Sequence, residues 1–262
     1  MDSTTQVLTT LIILTAVVVT LIGTQFARRR RDFYVLRALP AYDLAPRLVG
    51  EAVESGRRVQ LATGSAALGG ASTALALASA EMLYQIASRT AVAGDSPLAV
   101  VGESGALPLM MGAIRRAYSD ANRLDRYAVT AARWVPAASL AMSAALVADI
   151  GDERASGGVY VGEFDATLAL PLESIARRRG VSVAGSTRLD GMAVAYAMAD
   201  EPLIGEELFA AGAYLGDTPS HKAALAALDV LRWLVILGII GSALVALRVP
   251  LTEGLARLSG GG

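Results

Sequence analysis

Residues 59–73 read VQLATGSAALGGAST. An apolar run, 59–63, ends in Gly64-Ser65. A small loop follows with Gly69-Gly70, and a helix-like run opens at Ala71-Ser72-Thr73. A strand that turns through glycine into a helix is the opening unit of a parallel α/β sheet. Such turns often hold phosphate on backbone N–H groups. The stretch therefore poses two questions at once: whether the chain repeats this unit, and whether this turn is a nucleotide loop.

The unit repeats. LAVVG (98–102) precedes a helical run at 108–121, and AVTAARW (128–134) precedes 136–150. VYVG (159–162) precedes 167–179, VSVA (181–184) precedes 190–199, and LIG (203–205) precedes 206–215. The first helix of the series is expected over 72–90. Short strands that are apolar on both faces and alternate with helices make a parallel sheet covered on both sides. Right-handed crossovers wind it in both directions. The expected fold class is α/β: a Rossmann-like, doubly wound, mainly parallel sheet, flanked by N- and C-terminal transmembrane helices. The order of the strands is not readable from the sequence.

A parallel sheet gathers the carboxyl ends of its strands on one rim, where ligands of open α/β sheets bind. Three strands end in Gly-Glu, at Gly102-Glu103, Gly162-Glu163 and Gly205-Glu206. Two end in Gly-Ser, at Gly64-Ser65 and Gly185-Ser186. The candidate ligand-binding residues are therefore Gly64, Ser65, Gly69, Gly70, Glu103, Glu163, Ser186 and Glu206, with Asp165, Thr187 and Glu207 near them. The competing reading of each acid is a helix cap, where its charge meets the positive helix end. Carboxylates and hydroxyls together suit a divalent cation, sugar hydroxyls or an amine; the metal itself is unassigned.

The named phosphate motifs fail at their specific positions. Gly64 and Gly69 have Walker A spacing, but Gly70 and Ala71 stand where Lys and Ser/Thr belong. Ala66 replaces the second glycine of the dinucleotide fingerprint. The turn T-G-S-A-A lacks the G-x-S-x-G elbow of a serine hydrolase. Cysteine is absent and His221 is the single histidine, so thiolate sites and His-rich metal sites are excluded within one chain. A net charge of −1 gives no reason to expect nucleic acid. No cofactor is indicated. The run Arg177-Arg178-Arg179 reads as a solvated helix end.

Residues 7–27, VLTTLIILTAVVVTLIGTQFA, carry no charge and are long enough as a helix to cross a bilayer. Arg28–Arg31 follow, and arginine stays cytoplasmic. A second span is read at 233–247, WLVILGIIGSALVAL, with Arg232 at its cytoplasmic end. The division expected is a transmembrane helix at 1–27, a basic juxtamembrane lead-in at 28–57, and a cytoplasmic α/β domain at 58–227. A second transmembrane helix at 228–248 and a short extracytoplasmic tail at 249–262 complete it. Both termini would lie outside the bacterial inner (plasma) membrane, with membrane lipid as a partner.

The segments SGRRVQLATGSAALGGASTALALASAEML, LPLMMGAIRRAY and LIGEELFAAGAYLGDTPSHKAALAALDVLRW, with the flanking spans, resemble an uncharacterised family of bacterial two-span membrane proteins that carry a domain of unknown function. The resemblance covers most of the chain from about residue 40. It implies architecture and no catalytic residue. The first functional reading is a membrane-anchored, homo-oligomeric structural or assembly protein, with self as a partner. The alternative is a sensory domain that binds a small polar ligand or a divalent cation at the rim. A hydrolase or nucleotide-dependent enzyme ranks below both, because no base–nucleophile pair is visible.

Overall fold

The computed structural model describes residues 37–93, 96–137, 140–152 and 155–216, with scattered positions toward both ends of the chain. Two compact units emerge: Arg37–Asp217, and the terminal segments Met1–Leu36 with Thr218–Gly262.

The first unit is built on six strands: β1 (Val59–Gly64), β2 (Leu98–Val101), β3 (Ala132–Trp134), β4 (Gly157–Glu163), β5 (Val181–Ser186) and β6 (Glu201–Pro202). Their order is β3-β2-β1-β4-β5-β6, and every pairing is parallel. The chain winds outward from β1 through β2 to β3, then returns to β4 beside β1 and winds the other way. That is the strand order of Rossmann folds, and its switch point lies between β1 and β4. The expected α/β parallel sheet is present.

Seven α-helices complete the described unit: α1 (Pro40–Glu54), α2 (Thr73–Ala93), α3 (Leu107–Asp120), α4 (Leu140–Asp152), α5 (Ala169–Arg177), α6 (Leu189–Met198) and α7 (Ala211–Tyr214). Helices α1, α2, α3 and α7 pack as one layer, and α4, α5 and α6 as the other. β1 is buried along its whole length, and so is β4 up to Gly162. Beneath α4 the sheet contributes Val100 and Tyr160 to a core with Leu146, Ile150, Leu172 and Ile175. Gln60 is also buried there. It accepts from the Tyr160 hydroxyl (2.6 Å) and donates to the Leu146 carbonyl (3.1 Å), so neither polar group is left unpaired.

Several boundaries differ from the sequence reading. Residues 128–131 do not extend β3: Val129–Ala131 coils into a 3-10 turn and only Ala132–Trp134 pairs. The last strand is Glu201–Pro202 rather than 203–205, although the Leu203 amide continues the ladder onto the Ala184 carbonyl (2.8 Å). The helix expected at 206–215 divides into a 3-10 turn, Gly205–Phe209, and α7. The segment read as a juxtamembrane lead-in contributes a helix to this unit. Pro40 occupies the first helical turn, where its missing N–H costs nothing, and α1 buries Tyr42, Leu48 and Val49 against the sheet layer. The α/β unit therefore starts at Arg37.

The expected spans and Arg28–Arg31 lie largely outside the described residues. The described positions within 7–25 and 233–241 are helical, and large apolar side chains among them, such as Val7, Leu14, Trp233 and Leu237, are exposed. Among the described residues no helix is long and apolar enough to cross a membrane.

Candidate functional site at the switch point

Glycine shapes the rim where β1 meets β4. Gly64 has φ +59°, and a Cβ there would stand 2.0 Å from the Glu163 carbonyl oxygen. A Cβ on Gly162 would stand 1.9 Å from the Thr63 carbonyl oxygen. Neither position admits a side chain while the strands keep this approach. The ladder is irregular between Ala62 and Gly64: three steps along β4 face two along β1. The irregularity lies at the end of β4, where Glu163 is half-buried. Beyond the strand ends, the Ser65 amide donates to Glu163 (2.8 Å) and the Gly102 amide to Gly64 (3.0 Å). The recurring Gly-Glu and Gly-Ser endings thus arise partly from backbone packing of neighbouring strands.

The glycine loop after β1 is not built for phosphate. Gly69 and Gly70 are exposed, and a Cβ on either meets nothing within 4 Å. They therefore do not bring α2 close to the sheet, which corrects the packing role that glycines in such turns usually suggest. Their amides both donate to the Thr73 hydroxyl (2.9 and 3.0 Å), and the Ala67 amide donates to the Ser72 hydroxyl (3.0 Å). The N–H groups that cradle phosphate in nucleotide loops are here spent on the first residues of the helix.

A cavity of about 60 Å³ opens at the switch point, lined by Ser65, Ser143, Glu163, Asp165, Thr167 and Arg188 with Ala137, Met142 and Phe164. Its hydroxyl protons are committed internally. Ser65 donates to the Glu163 carbonyl (3.2 Å), Ser143 donates to Thr167 Oγ1 (2.9 Å), and Thr167 donates from both hydroxyl and amide to Asp165 Oδ1. Asp165 in this way caps the turn Ala166–Leu168 that leads into α5. Beside these hydroxyls the lining holds two carboxylates, of Glu163 and Asp165, and one guanidinium, of Arg188. Among the described residues no hydrogen-bond donor sits on the Glu163 carboxylate, and Asp165 keeps its second oxygen.

Arg188 closes the lining. Its Nε and Nη2 fork onto Asp190 (3.2 and 3.0 Å). Asp190 holds the Arg188 proton more firmly than usual, with smaller contributions from Asp165 and Glu163, and Arg188 in turn lowers the Asp190 pKa. Arg188 Nη1 takes no part in that fork.

Of the eight candidate residues read from the sequence, Ser65 and Glu163 line this cavity, together with Asp165, which the sequence placed near them. Ser186 is fully buried. Its hydroxyl donates to the Phe164 carbonyl (2.7 Å) and accepts from the Phe164 and Arg188 amides, so it pins β5 to the end of β4. Glu103 follows β2 on the same rim, with a long contact from Ser104 (3.5 Å). Glu206 is exposed beyond β6. Its neighbour Glu207 is a cap, accepting from the Ile204 amide (3.1 Å). Among the described residues no three His, Cys, Asp or Glu side chains come together as a metal site. His221 belongs to the other unit, and the Ser65 hydroxyl faces a carbonyl rather than a base. Sequence reasoning missed Ser143, which the sequence offers only as one polar position in an apolar helix, and Arg188, one residue beyond Thr187.

The fold and site define a doubly wound, Rossmann-like α/β unit with a small, acceptor-rich cavity at its switch point. The chain belongs to the family described as a domain of unknown function (DUF6754), whose model matches residues 1–254. No curated protein and no solved structure matches it.

Proposed function

We propose that the protein is a membrane-tethered binding domain whose switch-point cavity takes a small polar ligand rich in hydrogen-bond donors, either a polyhydroxylated molecule or an organic amine. The observation that carries this reading is the direction of the hydrogen bonds. The cavity's hydroxyl protons are spent on protein acceptors, while among the described residues no hydrogen-bond donor sits on the Glu163 carboxylate or on the second oxygen of Asp165, both residues of the lining. Glu163 and Asp165 are half-buried, and a partly desolvated carboxylate is best satisfied by a cationic or multiply hydroxylated donor. Phosphate and nucleotides fit poorly, because they bring more negative charge and the loop amides are occupied. The tether is supported by the uncharged run 7–27, the arginines that follow it and the apolar run 233–247. On this reading the α/β unit is cytoplasmic in a bacterial inner membrane.

Homo-oligomeric assembly is the second reading. It is favoured by α6, whose buried residues are only Gly191 and Ala195 while Leu189 and Tyr196 are 78% and 70% exposed. Thermal shift of the full chain in mild detergent tests the first reading. Ethanolamine or inositol should stabilise the protein saturably, Glu163→Gln should abolish the shift, and inorganic phosphate should give none. No shift with either donor-rich probe, or a shift with phosphate that survives Glu163→Gln, would contradict it.

A further inference from the structure

The α/β unit begins at Arg37, and its last helix ends at Tyr214. These two places meet. The Tyr214 hydroxyl donates to the Arg37 carbonyl (2.7 Å). Tyr42, in the first turn of α1, stacks on Tyr214 with ring centroids 5.0 Å apart and planes 13° from parallel. The Tyr42 hydroxyl donates to the Glu207 carbonyl, and the Glu207 carboxylate bonds Arg37 Nη2 (2.7 Å) and the Ile204 amide (3.1 Å). Arg37, Glu207, Tyr42 and Tyr214 thus form a closed ring. Arg89 of α2 fastens the exit by donating to the Leu215 carbonyl (3.0 Å).

Each contact alone would be unremarkable, since exposed ion pairs contribute little. The closure is different, because every member is held by two others and none can leave without breaking the stack, the ion pair or a hydroxyl bond. The ring also includes the turn after β6. That turn hangs from β5 through the Leu203 amide on the Ala184 carbonyl (2.8 Å), two residues before Ser186, which in turn accepts from the amide of Arg188 in the cavity wall.

We infer that this ring is a conformational clasp: it locks the entry and exit of the α/β unit to each other and to the Gly205–Phe209 turn, so that a displacement of either connection is passed to the carboxyl rim of the sheet. The inference does not depend on a ligand in the cavity, and its test uses none. Hydrogen exchange is read by mass spectrometry on the full chain in detergent for Tyr214→Phe, Glu207→Gln and the double variant. Each single change should accelerate exchange of 39–43 and 204–210 together, by about tenfold, the factor that one ordinary hydrogen bond supplies. The double variant should go little beyond the larger single effect, because one cut already opens the ring. Acceleration around 39–43 alone in Tyr214→Phe, or effects that multiply in the double variant, would overturn the clasp and leave independent contacts. Unchanged β1 and β4 amides certify the fold. Should Glu207→Gln lose them, Tyr42→Phe cuts the same ring while keeping the stack, and the same two outcomes decide.

Discussion

Replacing Gly64 with alanine tests how the switch point is made. The left-handed backbone at φ +59° costs an alanine about 1 kcal/mol. The new Cβ also lands 2.0 Å from the Glu163 carbonyl oxygen, so the ends of β1 and β4 must part by about an ångström to reach ordinary contact. That parting breaks the Ser65 amide bond to Glu163 (2.8 Å) and strains the Gly102 amide bond to Gly64 (3.0 Å), at about 1 kcal/mol each. The expected loss is about 3 kcal/mol, which lowers the Tm of a unit of this size by roughly 10 °C. Two neighbours calibrate the result. Gly69→Ala meets no atom within 4 Å but keeps φ +88°, so it should lose about 1 kcal/mol. Gly70→Ala meets neither obstacle and should fall within about 0.5 kcal/mol of the parent. Thermal or urea unfolding of the three variants, followed by circular dichroism, gives the ranking. A Gly64→Ala protein as stable as Gly70→Ala would refute the close approach of the two strands.

Thr63→Val should stabilise the protein by about 1 kcal/mol in urea unfolding, because the buried Thr63 hydroxyl has no hydrogen-bond partner among the described residues and valine has the same shape. Arg133→Ala should lower stability by about 3 kcal/mol in the same assay. It would leave the Asp149 carboxylate, only 7% exposed and otherwise paired to Arg133, as an uncompensated buried charge. Tyr160→Phe should cost about 2 kcal/mol, measured by the shift in urea midpoint, since it strands the Gln60 side-chain oxygen beneath α4.

The sheet was legible where strands are fully buried. VQLAT, LAVVG, VYVG and VSVA stand out because parallel strands covered on both faces read as continuous apolar runs. β3 and β6 lie at the edges, where pairing on one side demands less, and their boundaries follow the coiling of Val129–Ala131 and of Gly205–Phe209 rather than any periodicity. Only the second half of α1, the run LVGEAVE at 48–54, reads as helix, because Pro40 and Pro46 stand before it. Proline reads as a break, but Pro40 opens the helix and Pro46 is carried inside it by the apolar face that α1 buries. The rim could be placed from topology alone, since a parallel sheet must gather its carboxyl ends. The members that share one cavity could not. That choice depends on strand order, which brings the end of β4 beside the end of β1 so that the Ser65 amide reaches the Glu163 carbonyl, and on the local irregularity of that ladder. Ser186 looked like a rim residue, yet its hydroxyl satisfies buried backbone groups of Phe164, a role that no spacing announces.

A structure of the full chain extracted with its native lipids, at a resolution that shows small molecules, tests the central claim most directly. Density for a compact organic molecule is expected between Ser65, Glu163, Thr167 and Arg188, with a hydroxyl or ammonium group on the Glu163 carboxylate, and that density should be lost in Glu163→Gln. A phosphate group seated on the amides of Gly69 and Gly70, or a switch-point cavity filled by the protein's own side chains, would contradict it.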